Sequence, residues 1–136
     1  MSIRVYSEIN LHITWHTKDN LRLITPEMQP DLYAFLKNKI VQTKGAYFHG
    51  IGGIEDHVHI GCSVKPSVHL DEWIGQLKGG SSYEMGKGLQ WQAGYGIVSF
   101  GTKDLPWVLR YIHNQREHHS AGTIYERLER TEDESP

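Results

Sequence analysis

The sequence has one cysteine, Cys62. That excludes an internal disulfide framework and any zinc site built on several thiolates, so a metal here would need histidine, carboxylate or amide ligands. There is no run of eighteen apolar residues, and the start, MSIRVYSEINLHITW, lacks the basic and apolar regions of an export signal. Together these absences predict a cytoplasmic protein with no membrane partner. The chain also lacks an excess of positive charge: 14 lysines and arginines stand against 16 aspartates and glutamates, a net charge of −2. Phosphate-binding proteins usually carry a basic footprint. Part of the deficit is local, because the last eleven residues, ERLERTEDESP, hold five acids and two bases and leave 12 basic against 11 acidic residues in the remainder. A near-neutral body permits a basic groove without arguing for one.

What is present is nine histidines in a chain of 136 residues, 38% of them hydrophobic, enough for one compact core. The division expected is a single domain over 1–125 and a disordered acidic tail over 126–136. No internal repeat stands out. From Ile9, apolar residues (Ile9, Leu11, Ile13, Trp15) alternate with polar ones (Asn10, His12, Thr14, His16), the period of a half-buried strand. Thr25 as N-cap and Pro26 at the first helical position predict a helix over 26–44, closed by Gly45. Residues 46–51 and 54–64 read as an antiparallel hairpin turning at Gly52 and Gly53. A helix over 68–87, a strand over 95–100 and a helix from Asp104 to about residue 119 complete the chain.

The resulting order, β-α-β-β-α-β with one appended helix, is the split β-α-β arrangement of α+β ferredoxin-like domains. There the first and third strands are central neighbours and both helices cover one face. The polar sets of those strands therefore share the other face, which places His12, Thr14, His57 and His59 on one surface.

His57 and His59 stand two residues apart, roughly 7 Å along a strand at about 3.3 Å per residue, close enough to ligate one ion. Two solvated histidines on an exposed strand would show the same pattern. Histidine-triad nucleotide-binding proteins need a third alternating histidine, and that position is Gly61; no nucleotide cofactor is expected. On the last helix, Tyr111 and Gln115 are four residues apart and share a face, so a hydroxyl and an amide oxygen could meet the same ion. Packing of Tyr111 beside Trp107, Val108 and Ile112, with Gln115 solvated, satisfies the periodicity equally.

IEDHVHIGCSV, KGGSS at 78–82 and RYIHNQREHH together resemble the single-tyrosine HUH transposases of the smallest bacterial insertion sequences, the IS200-like transposases. The resemblance covers nearly the whole chain. It implies a bacterial or archaeal, nucleoid-associated homodimer that acts on single-stranded DNA bearing hairpins. It further implies a metal-dependent endonuclease and strand transferase with Tyr111 as nucleophile and with Mg²⁺ or Mn²⁺ held by His57, His59 and Gln115. A 5′-phosphotyrosine would store the bond energy for rejoining. A domesticated relative that cuts or only binds hairpins would carry the same motifs.

The family commonly has proline two positions before the first histidine, where this chain has Glu55, which either adds a carboxylate to the metal shell or stands as a solvated charge. Asp56 alternates to the opposite side and is not expected to be a ligand. His12, Lys78, Ser81, Arg110, Arg116, His118 and His119 are candidate positions for DNA contact, with Lys87 and Lys103 as further candidate phosphate contacts; a surface histidine at 12, structural contacts at 118 and 119, helix packing at 81 and solvated charges at the lysines and arginines fit the sequence as well.

Overall fold

The structure, a computed structural model, describes residues 4–132. Residues 133–136 of the expected tail and the side chain of Lys87 lie outside the described residues. Strands β1 (Asn10–His16), β2 (Ala46–Ile54), β3 (His57–Val64) and β4 (Gly96–Phe100) form one antiparallel sheet in the order β2-β3-β1-β4. With helices α1 (Gln29–Gln42) and α2 (Leu70–Met85) between the strands, this is the expected ferredoxin-like topology.

One face of the sheet is apolar by alternation. Leu11, Ile13 and Trp15 of β1 and Val58, Ile60, Cys62 and Val64 of β3 pack against Leu32, Leu36 and Ile40 of α1 and Trp73, Ile74 and Leu77 of α2. Each such aliphatic side chain removed from water contributes about 1.5–3 kcal/mol, so the pattern that makes the strands also fixes which face the two helices cover. Helix α1 begins at Gln29 instead of residue 26. Proline is tolerated only in the first turn of a helix, and Pro30 occupies that turn, so Thr25 and Pro26 form a preceding turn in which Thr25 Oγ1 accepts from the Met28 amide at 3.1 Å.

The hairpin does not turn at the glycines. Strand β2 runs through Gly52 and Gly53, Ile54 pairs with His57, and Glu55 and Asp56 make the turn. Gly52 serves another purpose: a Cβ there would stand 2.0 Å from the carbonyl oxygen of Ile112, so its missing side chain is what lets the following helix lie directly on the sheet.

That helix is two. α3 (Leu105–His113) and α4 (Gln115–Ala121) are separated at Asn114, whose φ of −108° and ψ of 32° leave the helical region. α3 packs on β2 and β3, and α4 on β2. The expected tail also differs. Glu126–Glu129 form a short helix, α5, that packs on β4 and β1 with Leu128 only 1% exposed. The sheet is therefore covered on both faces, and the middle of its polar face, His12, Thr14, His57 and His59, is as buried as its apolar one.

Candidate active site and metal centre

Burial of a polar sheet face demands partners for every side chain on it. His12, Thr14, His57 and His59 are each no more than 1% exposed, and so is Gln115 of α4. Thr14 donates its hydroxyl to the Val58 carbonyl. The two strand histidines are each held by Nδ1. The ring of His57 meets Asp56 Oδ1 at 2.6 Å and stacks on His16 with ring centres 4.8 Å apart, while His59 Nδ1 lies 2.7 Å from Nε2 of the buried His12. Both Nε2 atoms therefore face the same small volume.

Gln115 completes that volume from above. Its amide nitrogen donates to the Tyr111 carbonyl at 2.9 Å, which turns Oε1 toward the imidazoles, 3.2 Å from His57 Nε2 and 3.2 Å from His119 Nε2. His119 reaches the centre because it stands one turn beyond Gln115 on α4, past the break at Asn114; the ring centres of His57 and His119 are 4.7 Å apart. Glu129 of α5 reaches the same volume, its Oε1 3.3 Å from His59 Nε2, 3.6 Å from His57 Nε2 and 3.4 Å from His119 Nε2. His57, His59, His119 and Glu129 offer ligand atoms all within 4.8 Å of one another.

Electrostatics divides the histidines. Burial, with the neighbouring His59, pushes His12 down to about 3, and burial, against the pull of Glu129, pushes His59 down to about 4. Both are neutral at neutral pH. Burial also opposes charge on His57, but the Asp56 hydrogen bond and the charges of Glu129 and Asp56 outweigh it and raise its pKa. Asp56 in turn is held below the usual carboxylate range, first by its hydrogen bond with His57. Glu129 goes down to about 2, because its contacts with His59, Tyr111 and His57 overcome a burial that would raise it.

The donor set fits a divalent cation. His59 Nε2 is fully buried and makes no hydrogen bond among the described residues, an arrangement costly in an apolar site and natural for a nitrogen lone pair aimed at a metal. Anchoring of the opposite ring nitrogen by a carboxylate or another acceptor is the usual support of a metal-ligating imidazole.

Tyr111, on α3, is 1% exposed. Its hydroxyl donates to Glu129 Oε2 and accepts from the Tyr125 amide at 3.1 Å. Its ring centre lies 4.7 Å from that of His118 and 5.9 Å from that of His59. Burial, and then the Glu129 carboxylate, raise its pKa well above the ordinary phenol value.

The family described as transposase IS200 like matches residues 5–115. The chain belongs to that family. Among solved structures, it resembles a candidate transposase from Deinococcus radiodurans R1 at 21% identity and a TM-score of 0.65, over 85% of this chain and 97% of that one. It also resembles a REP-associated tyrosine transposase solved with a REP hairpin, at 15% identity and a TM-score of 0.65, over 88% of this chain and 73% of that one. At these identities the likeness speaks for the transposase fold. No curated protein matches the sequence. Among the described residues, no helix is long and apolar enough to cross a membrane.

Within this family frame, the structure brings together Tyr111, Gln115, His57 and His59. It places the other sequence-derived positions differently. His12 is buried behind His59 and has no surface for DNA. Lys78 is 9% exposed and gives its ammonium to the carbonyls of Gln92, Ala93 and Gly94. Ser81 is buried and accepts from the Trp91 indole. Glu55 sits in the turn and pairs at 2.8 Å with Arg116, whose side chain is otherwise 71% exposed. Arg110 and Lys103 are exposed. His118 packs on Tyr111 and lies 2.9 Å from Thr123 Oγ1, and His119 joins His57, His59 and Glu129 in a group that could hold a metal ion. The sequence does not assign three residues to the centre: His119 and Asp56 read there in other roles, and Glu129 in none. His119 carried a signal in its spacing of four from Gln115, and Asp56 in its adjacency to His57. Glu129 had none, because it lies in the acidic end.

Proposed function

We propose that this protein is a metal-dependent, single-stranded DNA endonuclease and strand transferase that uses Tyr111 as its nucleophile on hairpin-bearing DNA ends, working in transposition. The observation that carries this reading is the convergence of His57 Nε2, His59 Nε2 and Gln115 Oε1 on one volume, with Tyr111 one helical turn from Gln115. A divalent cation, Mg²⁺ or Mn²⁺, would be held by those three residues and would supply Lewis-acid polarisation of the phosphate and relief of its growing charge.

The protein's own residues do the rest. Tyr111 supplies the attacking oxygen, which forms a bond to phosphorus as the bond to the 3′-oxygen breaks; the phenolic proton is lost and the leaving 3′-oxygen ends as a hydroxyl. The product is a 5′-phosphotyrosine, and a 3′-hydroxyl attacking it reverses the balance, releasing Tyr111 and joining strands without ATP. Asp56 and His12 keep the two strand imidazoles in the tautomer that presents Nε2. The amide of Gln115 adds no charge to the site, so an anionic phosphate meets less repulsion than a carboxylate at that position would give. The working unit is a homodimer in the bacterial or archaeal nucleoid.

The test is incubation with labelled single-stranded oligonucleotides carrying the hairpins that flank the gene, with Mn²⁺ or Mg²⁺, followed by denaturing electrophoresis. A covalent protein–DNA species is expected that disappears in Tyr111→Phe and with chelator. Cleavage that persists in Tyr111→Phe would sink the tyrosine mechanism and leave hydrolysis by water.

A further inference from the structure

Residues 123–132, TIYERLERTE, have the composition of a solvated tail, yet their attachments are specific. Leu128 is buried to 1% exposure. The Arg127 guanidinium donates to the Ser99 carbonyl of β4. The Arg130 carbonyl fits where β4 has no side chain, since a Cβ on Gly96 would stand 1.8 Å from it. Tyr125 places its amide on the Tyr111 hydroxyl and its ring 5.1 Å from the Tyr111 ring. A composition that reads as tail has thus been fitted to a particular surface, and this segment lies beyond the residues that match the family.

The Glu129 carboxylate explains what the fit is for. Its two oxygens do different things: Oε1 faces three imidazole nitrogens at 3.3, 3.4 and 3.6 Å, and Oε2 accepts the Tyr111 hydroxyl. The first set of distances is long for hydrogen bonds, and His59 Nε2 makes none. Two of the three, 3.3 Å to His59 and 3.4 Å to His119, match the spacing of neighbouring ligands around a small divalent ion, about 3.0–3.4 Å when each ligand stands about 2.0–2.1 Å from the metal, and the 3.6 Å to His57 is slightly longer. We propose that Glu129 is a further protein ligand of the ion held by His57, His59 and Gln115, and that the bound ion thereby fastens residues 123–132 over Tyr111. This rests on the metal centre proposed above and adds to it a cover. With the segment down, the nucleophile is 1% exposed and its hydroxyl is taken by Glu129 and Tyr125. A phosphodiester reaches it only when the segment lifts, so one carboxylate links occupancy of the metal centre to accessibility of the tyrosine.

The experiment uses the full chain, freed of metal, with Mn²⁺ as the probe. Affinity is read by calorimetry, and docking of the segment by hydrogen exchange of its peptides. The wild type is expected to bind Mn²⁺ and to show slower exchange over 123–132 when it does. Glu129→Gln is expected to weaken Mn²⁺ by about tenfold or more and to lose the metal-dependent protection. Leu128→Ala, which loosens the short helix without altering a ligand, is expected to weaken Mn²⁺ in the same direction. Mn²⁺ affinity in Glu129→Gln equal to that of the wild type, or faster exchange of the segment on adding Mn²⁺, would overturn the inference. If in that case His59→Ala still abolishes binding, the metal centre stands and only the cover falls; if the wild type binds no Mn²⁺, both fall.

Discussion

The Nε2 atom of His12 lies 2.7 Å from Nδ1 of His59, and both rings are buried. A single proton between two neutral imidazoles leaves one lone pair to spare. When His59 Nδ1–H donates to His12, that lone pair is on His59 Nε2, facing Gln115 and Glu129. His12→Leu removes the acceptor and leaves a buried N–H unpaired, which costs about 1–3 kcal/mol. Mn²⁺ affinity measured by calorimetry is expected to fall by about 10–100-fold, with partial recovery in His12→Gln. An unchanged affinity in His12→Leu would show that His59 needs no such support.

Adjacent acids in the β2–β3 turn separate two kinds of carboxylate. Glu55 bonds an exposed arginine, an interaction worth about 0–1 kcal/mol, so Glu55→Gln is expected to leave both metal affinity and Tm almost unchanged. Asp56 holds the ring of His57, and Asp56→Asn is expected to lower metal affinity by about tenfold or more with the fold intact by circular dichroism. Equal effects from the two variants would contradict these roles.

Gly52→Ala puts a methyl group 2.0 Å from a backbone carbonyl of α3. Backbone cannot swing aside as a side-chain end can, so α3 must lift from the sheet and carry Tyr111 and Gln115 with it. A loss of about 3 kcal/mol or more is expected in chemical denaturation, together with loss of DNA cleavage. Retained cleavage at wild-type stability would mean that α3 does not need this seat.

In chelator, stability is expected to fall as pH drops from 7 toward 5. His12 and His59 have folded pKa values depressed to about 3 and about 4, below an unfolded value of 6.5. The unfolded chain therefore binds more protons below pH 6.5, and stability rises with pH through that window. His57, whose pKa is raised, works the other way, contributing stability at low pH that is lost as pH climbs through its folded value. Asp56 and Glu129 lose their contribution only below the ordinary carboxylate range. The two depressed histidines together cost up to about 4 kcal/mol by pH 5, at about 1.4 kcal/mol per pH unit each below 6.5, and the raised His57 offsets part of that, so Tm falls across the window. A flat melting profile from pH 7 to 5 would contradict the neutral assignment of the pair.

How far the sequence disclosed the site depended on the range of the signal. Alternation is local, so β1 and β3 were readable, as was the side on which His57 and His59 lie; the spacing of four between Tyr111 and Gln115 was equally readable. What alternation cannot show is whether a polar face stays wet. His12 and Lys78, polar and plausible for phosphate, were drawn inward because α3, α4 and α5 cover the sheet and because an ammonium can satisfy the three carbonyls of Gln92, Ala93 and Gly94. Gly52 read as a turn because glycine is equally suited to a tight bend and to a close approach by another backbone, and only the position of Ile112 distinguishes them. The break at Asn114 has no strong local mark, since asparagine is also a middling helix residue. Glu129 was hidden by its company: composition reports the mean of the segment, and one buried leucine was enough to dock it.

The residues of this centre come from positions 12, 56, 57, 59, 115, 119 and 129, so no stretch of chain shorter than about six-sevenths of the protein contains them all. Pairing of such distant segments is the slow part of folding, because loop closure must precede any reward. The hairpin that carries His57 and His59 closes over a short turn, whereas His12 needs β1 paired between β3 and β4, and Tyr111 meets its partners only with α3 to α5 in place. The histidines and Tyr111 therefore come together only in the native topology, and the proposed activity requires the whole chain to be folded.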